Sequence, residues 1–293
     1  MAIKVLAVLA AIGSVIAGDV IASAQSYSDV VLADNPILYW NFNEAGNTDP
    51  AIDLVGNESG DNLAALGNAT RVASTSTTGG VTLGRAASFD GTFATKFFSN
   101  TLTPATNPDA WALEMWIRPQ GGNDPGTRSD YILESQIPGG ANTPGILFDY
   151  VGSGLNDNVE IFRAGIRTGH AGPAILSDTW SHLVIGYFGG ANDRADFYLN
   201  GVAAGSAVGI PIDLPFGTDT IAVGNSVPGH PDFDHFNGLL DEMALYDLTG
   251  ATVASIEARL ASIASHAALV PEPSSILLVT MASSLLWRIR RGC

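Results

Sequence analysis

Short apolar runs alternate along this chain with clusters of Gly, Pro, Asn and Asp, at a spacing too close for a helical protein. The clearest runs are residues 37–42, 110–117, 131–134, 182–188, 195–199 and 221–224. In the second of these, Trp111, Leu113, Met115 and Ile117 place an apolar side chain at every other position, which predicts a strand with one buried face. Many short strands with turn signals between them predict an all-β sandwich or barrel. Phe89-Asp90-Gly91 predicts a strand that ends in a turn, and Asn200-Gly201 a type I′ hairpin, whose two central residues both need positive φ. Helical spacing appears once in the body, at Val253, Ile256, Leu260 and Ile263, and predicts one closing helix over residues 252–265. Residues 67–80, rich in Ala, Ser, Thr and Gly, read as a surface loop. No heptad, phosphate loop or fixed-period repeat occurs, and no boundary divides residues 25–270.

The two ends differ from this body. Lys4, an apolar run over residues 5–17 and the Ala22-Ser23-Ala24 site before Gln25 form the three parts of a secretory signal peptide, with cleavage expected after Ala24. A spanning helix would need about 20 apolar residues. At the other end Pro271-Glu272-Pro273 stops the preceding helix, an apolar stretch covers residues 276–287, and Arg288, Arg290 and Arg291 follow. Taken bare, this is a short apolar helix at the margin of what spans a membrane. Its order resembles the PEP-CTERM sorting signal of Gram-negative, biofilm-forming bacteria. The resemblance implies recognition by an exosortase-type peptidase, removal of the tail at residues 271–293, and a cell-surface or extracellular destination reached through transient membrane anchoring by the C-terminal helix.

Composition narrows the classes further. Hydrophobic residues make up 46% and charged residues 14%, with 33 Gly and 15 Pro, which is too apolar for a disordered chain. The formal charge is −16. Without residues 1–24 and 271–293 the body keeps 9 basic against 27 acidic side chains, a surface that repels phosphate backbones and excludes nucleic acid as a partner. The single cysteine, Cys293, would leave with the tail, so neither an internal disulfide nor a Cys-based metal cluster is expected.

Five blocks occur in order across residues 34–260. They are Asp34-Asn-Pro-Ile-Leu-Tyr-Trp-Asn-Phe-Asn-Glu44, Gly84-Arg-Ala-Ala-Ser-Phe-Asp-Gly91, Leu113-Glu-Met-Trp-Ile-Arg-Pro119, Trp180-Ser-His-Leu-Val184 through Phe197-Tyr-Leu-Asn-Gly201, and Phe236-Asn-Gly-Leu-Leu-Asp-Glu-Met-Ala-Leu-Tyr246. Together the blocks resemble the LamG-like, concanavalin A-like lectin/glucanase superfamily. The resemblance implies a two-sheet antiparallel jelly roll with one short C-terminal helix, in agreement with the strand reading.

The superfamily includes glycoside hydrolases, which usually need two carboxylates about 5–9 Å apart across the scissile bond. In its laminarinase-type branch they sit on one strand as glutamate-x-aspartate-x-glutamate, and no such triplet occurs here. The central strand offers only Glu114, between same-face neighbours Ala112 and Trp116, and Glu160 stands alone between Val159 and Ile161. A non-enzyme is therefore expected. His182 reads as a packed histidine without a nucleophile partner, and Trp40, Trp111 and Trp116 read as core residues rather than sugar platforms. Metal chemistry points to calcium, which takes several oxygen ligands. The resemblance implies a calcium joining the first and last strands, with Asp241 and Glu44 or Asn43 as ligands; Asp241 reads equally as a carboxylate hydrogen-bonded to backbone at a sheet edge. The His230-Pro-Asp232-Phe-Asp234-His235 loop reads instead as a solvated acidic turn. The resulting expectation is an exported, non-catalytic domain that recognises a polysaccharide or surface glycan, or adheres to a surface polymer. A glycoside hydrolase with carboxylates from separate strands and a ligand-free structural matrix protein are the alternatives.

Overall fold

The computed structural model describes residues 26–56, 59–75, 82–92, 94–102, 108–120, 129–135, 144–149, 158–163, 166–167, 172–189, 192–209, 220–227 and 235–269. The expected signal peptide with Ala24, the tail with Pro271, Glu272 and Pro273, and residues 230–234 lie outside them. Among the described residues no helix is long and apolar enough to cross a membrane.

Two antiparallel sheets face each other. The larger runs β13-β12-β11-β6-β15-β4-β3, with β1 also paired to β15. Its strands are β1 (Leu38–Trp40), β3 (Thr70–Thr75), β4 (Thr82–Asp90), β6 (Trp111–Pro119), β11 (Ser181–Tyr187), β12 (Arg194–Leu199), β13 (Val202–Val208) and β15 (Asn237–Asp247). The smaller runs β10-β9-β8-β7-β14-β5-β2. Its strands are β2 (Ala64–Leu66), β5 (Lys96–Ser99), β7 (Ser129–Ser135), β8 (Pro144–Asp149), β9 (Asn158–Arg163), β10 (Ile166–Arg167) and β14 (Ile221–Val223). The sandwich and its single longer helix agree with the class expected from the strand pattern.

The period-two pattern of β6 explains how the sheets meet. Trp111, Leu113, Met115 and Ile117 enter the core between the sheets, together with Phe97, Ile132, Val159, Ile161 and Val223 from the opposing one. The alternate residues of β6 face outward, yet they too are covered. Helix α1 (Tyr27–Ala33) and helix α2 (Val253–Ala264) lie on that face, and Ala112, Val184, Ala244 and Tyr246 pack against Val31, Ile256, Leu260 and Ile263. Full burial of an aliphatic side chain stabilises by about 1.5–3 kcal/mol, so the stripe on α2 suffices to hold a helix this short. Both helices are capped. Ser26 and Asp29 form a reciprocal capping box on α1, and the Thr252 hydroxyl accepts from the Ser255 N–H at 3.3 Å on α2.

The turns follow their residues. Asn200 and Gly201 take φ of 50° and 82° between β12 and β13, as a type I′ hairpin requires. One segment departs from the sequence reading. Residues 67–80, expected as a loop, contain β3, paired to β4 from Thr70↔Ser88 onward. Their small polar residues carry no strand signal, and cross-strand pairing overrides the weak propensity. In β15 the edge partner changes along the strand, from β4 at residues 237–240 to β1 at residues 243–245. A bulge between Asp241 and Ala244 marks the change, and Glu242 takes a φ of 52° within it.

The α2 contact is testable at one close approach. A Cβ placed on Gly186 of β11 would lie 2.3 Å from the Leu260 Cδ1 atom. Leu260→Ala should cost about 2–5 kcal/mol in urea unfolding. Adding Gly186→Ala should recover part of that cost, because its methyl group enters the vacated space; simple additivity would refute the contact.

Candidate functional site

The side chains with the most unusual environment lie on the covered outer face of the larger sheet. Glu114 projects there from the middle of β6 and has no solvent exposure. Its Oε1 accepts from the Tyr27 hydroxyl at 2.6 Å, from His182 Nε2 at 2.9 Å and from His266 Nδ1 at 2.8 Å. Its Oε2 accepts from the Tyr246 hydroxyl at 2.6 Å. Burial pushes this carboxyl up, but the hydrogen bonds and charges of His182 and His266 outweigh it and hold the group at about 2. His266 belongs to the 3-10 turn Ser265–Leu269, and its second ring nitrogen lies 3.2 Å from Asp34 Oδ2. Burial disfavours its charged form, but the two carboxylates prevail and raise its pKa. Arg259 continues the network, 2.8 Å from Asp34 Oδ1. The first and last described segments of the chain thus meet at Glu114.

The bulge in β15 adds two further carboxyls to the same face. Leu240 and Met243 both enter the core, which leaves Asp241 and Glu242 consecutively on the outer side. Burial pushes the Glu242 carboxyl up to about 8, with the Glu114 charge adding to the rise against the Tyr39 hydrogen bond. Asp241 is raised too, by burial and by Glu242. Of the three, only Glu114 has at hydrogen-bond distance, among the described residues, a partner whose cationic form is favoured, His266. The other two resist ionisation first because they are buried, and then because a neighbouring carboxylate (Glu242 for Asp241, Glu114 for Glu242) adds like charge. Displaced carboxyl pKa values often mark active sites. Here neither Glu114 nor Asp241 has any exposed surface to offer a substrate, and Glu242 has almost none.

The residues expected to hold calcium adjoin this layer. The Glu44 carboxylate is 2.7 Å from the guanidinium of buried Arg71 and accepts from the Ile52 N–H at 2.6 Å. Arg71 donates onward to the Asp49 carbonyl at 2.6 Å and lies 5.0 Å from the centre of the Phe97 ring. Asn43 Oδ1 accepts from the Arg85 N–H at 2.7 Å. Asp241 Oδ1 accepts from the Glu242 N–H at 2.9 Å, and its Oδ2 is buried without a hydrogen bond. Calcium needs about six to eight oxygens, and these three side chains do not fit it in this arrangement: Glu44 is held by the Arg71 guanidinium, Asn43 Oδ1 by the backbone N–H of residue 85, and one bare Asp241 oxygen remains. Among the described residues no group of three or more His, Cys, Asp and Glu side chains has the geometry to hold a metal.

The other singled-out residues are structural. Trp40, Trp111 and Trp116 are buried, so none presents a free ring face. His182 is buried with its Nδ1 unpartnered, and Glu160 is buried in β9. Tyr27, Tyr246, Glu242, His266 and Arg71 are the residues that sequence reasoning missed. Ser26-x-x-Asp29 could have disclosed α1, and thereby Tyr27, through its capping pattern; Arg71 has no such signal.

A jelly-roll pair of sheets with a covered outer face accords with the comparison to known families. The model of the concanavalin A-like lectin/glucanases superfamily matches residues 90–254. The chain belongs to this superfamily. No curated protein matches the chain. Solved structures similar to this superfamily member include domain 4 of AbnA, an extracellular arabinanase of Geobacillus stearothermophilus, in complex with arabinotriose. It is 18% identical with a TM-score of 0.48, over 78% of this chain and 97% of that one. A Trypanosoma rangeli sialidase is 12% identical with a TM-score of 0.50, over 79% of this chain; the match spans 32% of the sialidase.

Two measurements test the buried layer. Glu114→Gln should cost about 3–5 kcal/mol in chemical unfolding, because it places an amide among four donors; a change within error would remove Glu114 from its central role. Glu242 has a folded-state pKa raised from 4.5 to about 8. Its contribution to stability is therefore full below its unfolded pKa and is lost as pH rises through about 8. The melting temperature should fall more steeply between about pH 6 and pH 9 in the wild type than in Glu242→Gln. His266 acts in the same direction but is common to both proteins; equal slopes would show that Glu242 is not protonated in the fold.

Proposed function

We propose that this superfamily member is an exported, non-catalytic domain that recognises carbohydrate or adheres to a surface polymer. The observation that carries the non-catalytic reading is the state of Glu114. The one carboxylate of the central strand is sealed and saturated with four hydrogen bonds, so it can neither protonate a leaving group nor attack a sugar. Superfamily membership supports a glycan as the ligand, and the acidic surface argues against nucleic acid. Export and surface sorting rest on the signal-peptide pattern ending at Ala24 and on the Pro271-Glu272-Pro273 tail, with an exosortase-type peptidase as the processing partner. Calcium stays outside this reading, since Asp241, Glu44 and Asn43 do not form its donor set.

The purified chain applied to a glycan array should retain one or more glycans and release no product detectable by mass spectrometry. Turnover of a β-glucan or galactan that is lost in Glu160→Gln would overturn the non-catalytic reading, and an empty array at neutral pH would overturn the glycan reading.

A further inference from the structure

Beside α2, at the edge of the larger sheet, a cavity of about 450 Å3 opens over the β12–β13 hairpin, bordered by Arg194, Asp196, Tyr198, Ala203, Ser206 and Glu257. Small-molecule clefts occupy roughly 300–1,000 Å3. It shares none of these residues with the Glu114 cluster.

Its polar wall is fixed in place. Arg194 donates from Nε to Asp196 Oδ1 at 2.8 Å, from Nη2 to Asp196 Oδ2, and from Nη1 to Glu257 Oε1 at 2.8 Å, which ties the hairpin to α2. The guanidinium also lies 4.4 Å from the centre of the Phe188 ring. The Ser206 hydroxyl donates to Asp196 Oδ1 at 2.7 Å. Of the five guanidinium N–H bonds, three are used and two are left for a ligand. Glu257 keeps a half-exposed carboxylate with one oxygen outside this pairing.

The apolar part is Tyr198. A bulge between Phe197 and Tyr198 sets its register, and its partner across the hairpin is Ala203. The next partner is Gly205, at a φ of 150°, a conformation that larger residues seldom adopt. Neither of these two is large enough to cover the ring, which on its β11 side packs with Val184 against the apolar cluster beneath α2. The ring is half-buried, and no hydrogen bond to its hydroxyl occurs among the described residues.

A sugar presents an apolar C–H face and a rim of hydroxyls that both donate and accept. The exposed part of the tyrosine ring suits the first, and a locked guanidinium–carboxylate frame suits the second at little ordering cost. Charge selects among sugars. One cation faces two carboxylates here, on a chain of formal charge −16, so a sialic or uronic acid would meet repulsion. We propose that this groove binds the neutral sugar units of a glycan, stacked on Tyr198 and hydrogen-bonded to Arg194, Glu257 and Ser206. The assignment rests on the glycan-recognition reading above and adds the place and the charge of the ligand.

Calorimetric titration of the full chain tests it, with neutral tetrasaccharides of glucose, galactose, mannose and arabinose as probes and sialyllactose and trigalacturonate as charged controls. The wild type should bind at least one neutral probe, and Tyr198→Ser should weaken that binding by about tenfold or more. Ala203→Arg should weaken it similarly by filling the groove while removing nothing, which keeps the test valid if Tyr198→Ser fails to fold; thermal melts verify both variants. Binding that persists in the folded variants overturns the groove and leaves glycan recognition standing. A wild type that binds none of the probes overturns the groove assignment, while the array separately decides the broader reading. Tighter binding of the charged controls, lost in the same variants, overturns the neutral-ligand assignment.

Discussion

Placing a carboxylate in the middle of a covered sheet face constrains everything laid over it. Desolvation alone would leave Glu114 protonated or the fold destabilised, and four donors from four different segments reverse that balance. Tyr27 comes from α1, His182 from β11, Tyr246 from β15 and His266 from the terminal 3-10 turn. Each donor fixes the position of the element that carries it. The apolar stripe of α2 supplies most of the burial, but hydrophobic contact is non-directional and would tolerate a range of placements. The buried charge requires one.

That requirement explains the neighbouring acids. With Glu114 ionised, Asp241 and Glu242 are buried beside it without a cationic partner at hydrogen-bond distance among the described residues, and both carboxyls are pushed up. The bulge that delivers both to one face arises where β15 exchanges β4 for β1 along one edge. Glu44 lies close enough to that fork for its charge to act on Asp241, and Glu44 and Asn43 tie the loop after β1 to β3 and β4 through Arg71 and the backbone of residues 83 and 85. Arg71 thus provides internally the positive charge that a divalent cation at this junction would have brought, fixed by Glu44, the Asp49 carbonyl and the Phe97 ring.

Much of the sandwich was legible in the sequence. The alternation in β6, the Asn200-Gly201 turn and the 3.6-residue stripe on α2 are local patterns, and local patterns survive into structure when the fold agrees with them. The same alternation that identified the core face also placed Glu114 on the opposite one, beside Ala112 and Trp116. What it could not convey was that this second face is covered. A strand with a polar residue on its outer side normally reads as half-solvated, and the lid here comes from segments more than eighty residues away on either side. β3 was illegible for a related reason: Thr70 to Thr75 has no hydrophobic period, and only pairing with β4 makes it a strand. The convergence of Asp34, His266 and Arg259 is a tertiary fact with no signature in spacing. The opening and closing blocks do bring their strands together, with Glu44 turned to Arg71 and Asn43 to the backbone of residue 85.

The order in which the strands emerge during synthesis has a consequence of its own. β15 is the hub of the larger sheet, paired with β6 along one edge and with β4 and then β1 along the other. It is also the last of the described strands. Until residues 237–247 are available, β6, β4 and β1 have no common neighbour, and Glu114 lacks Tyr246 and His266. The central ladder therefore depends on pairings between residues far apart in sequence, which carry a large loop-closure cost. A chain truncated before Phe236 would leave the β6 edge open and Glu114 without its cover and two of its four donors.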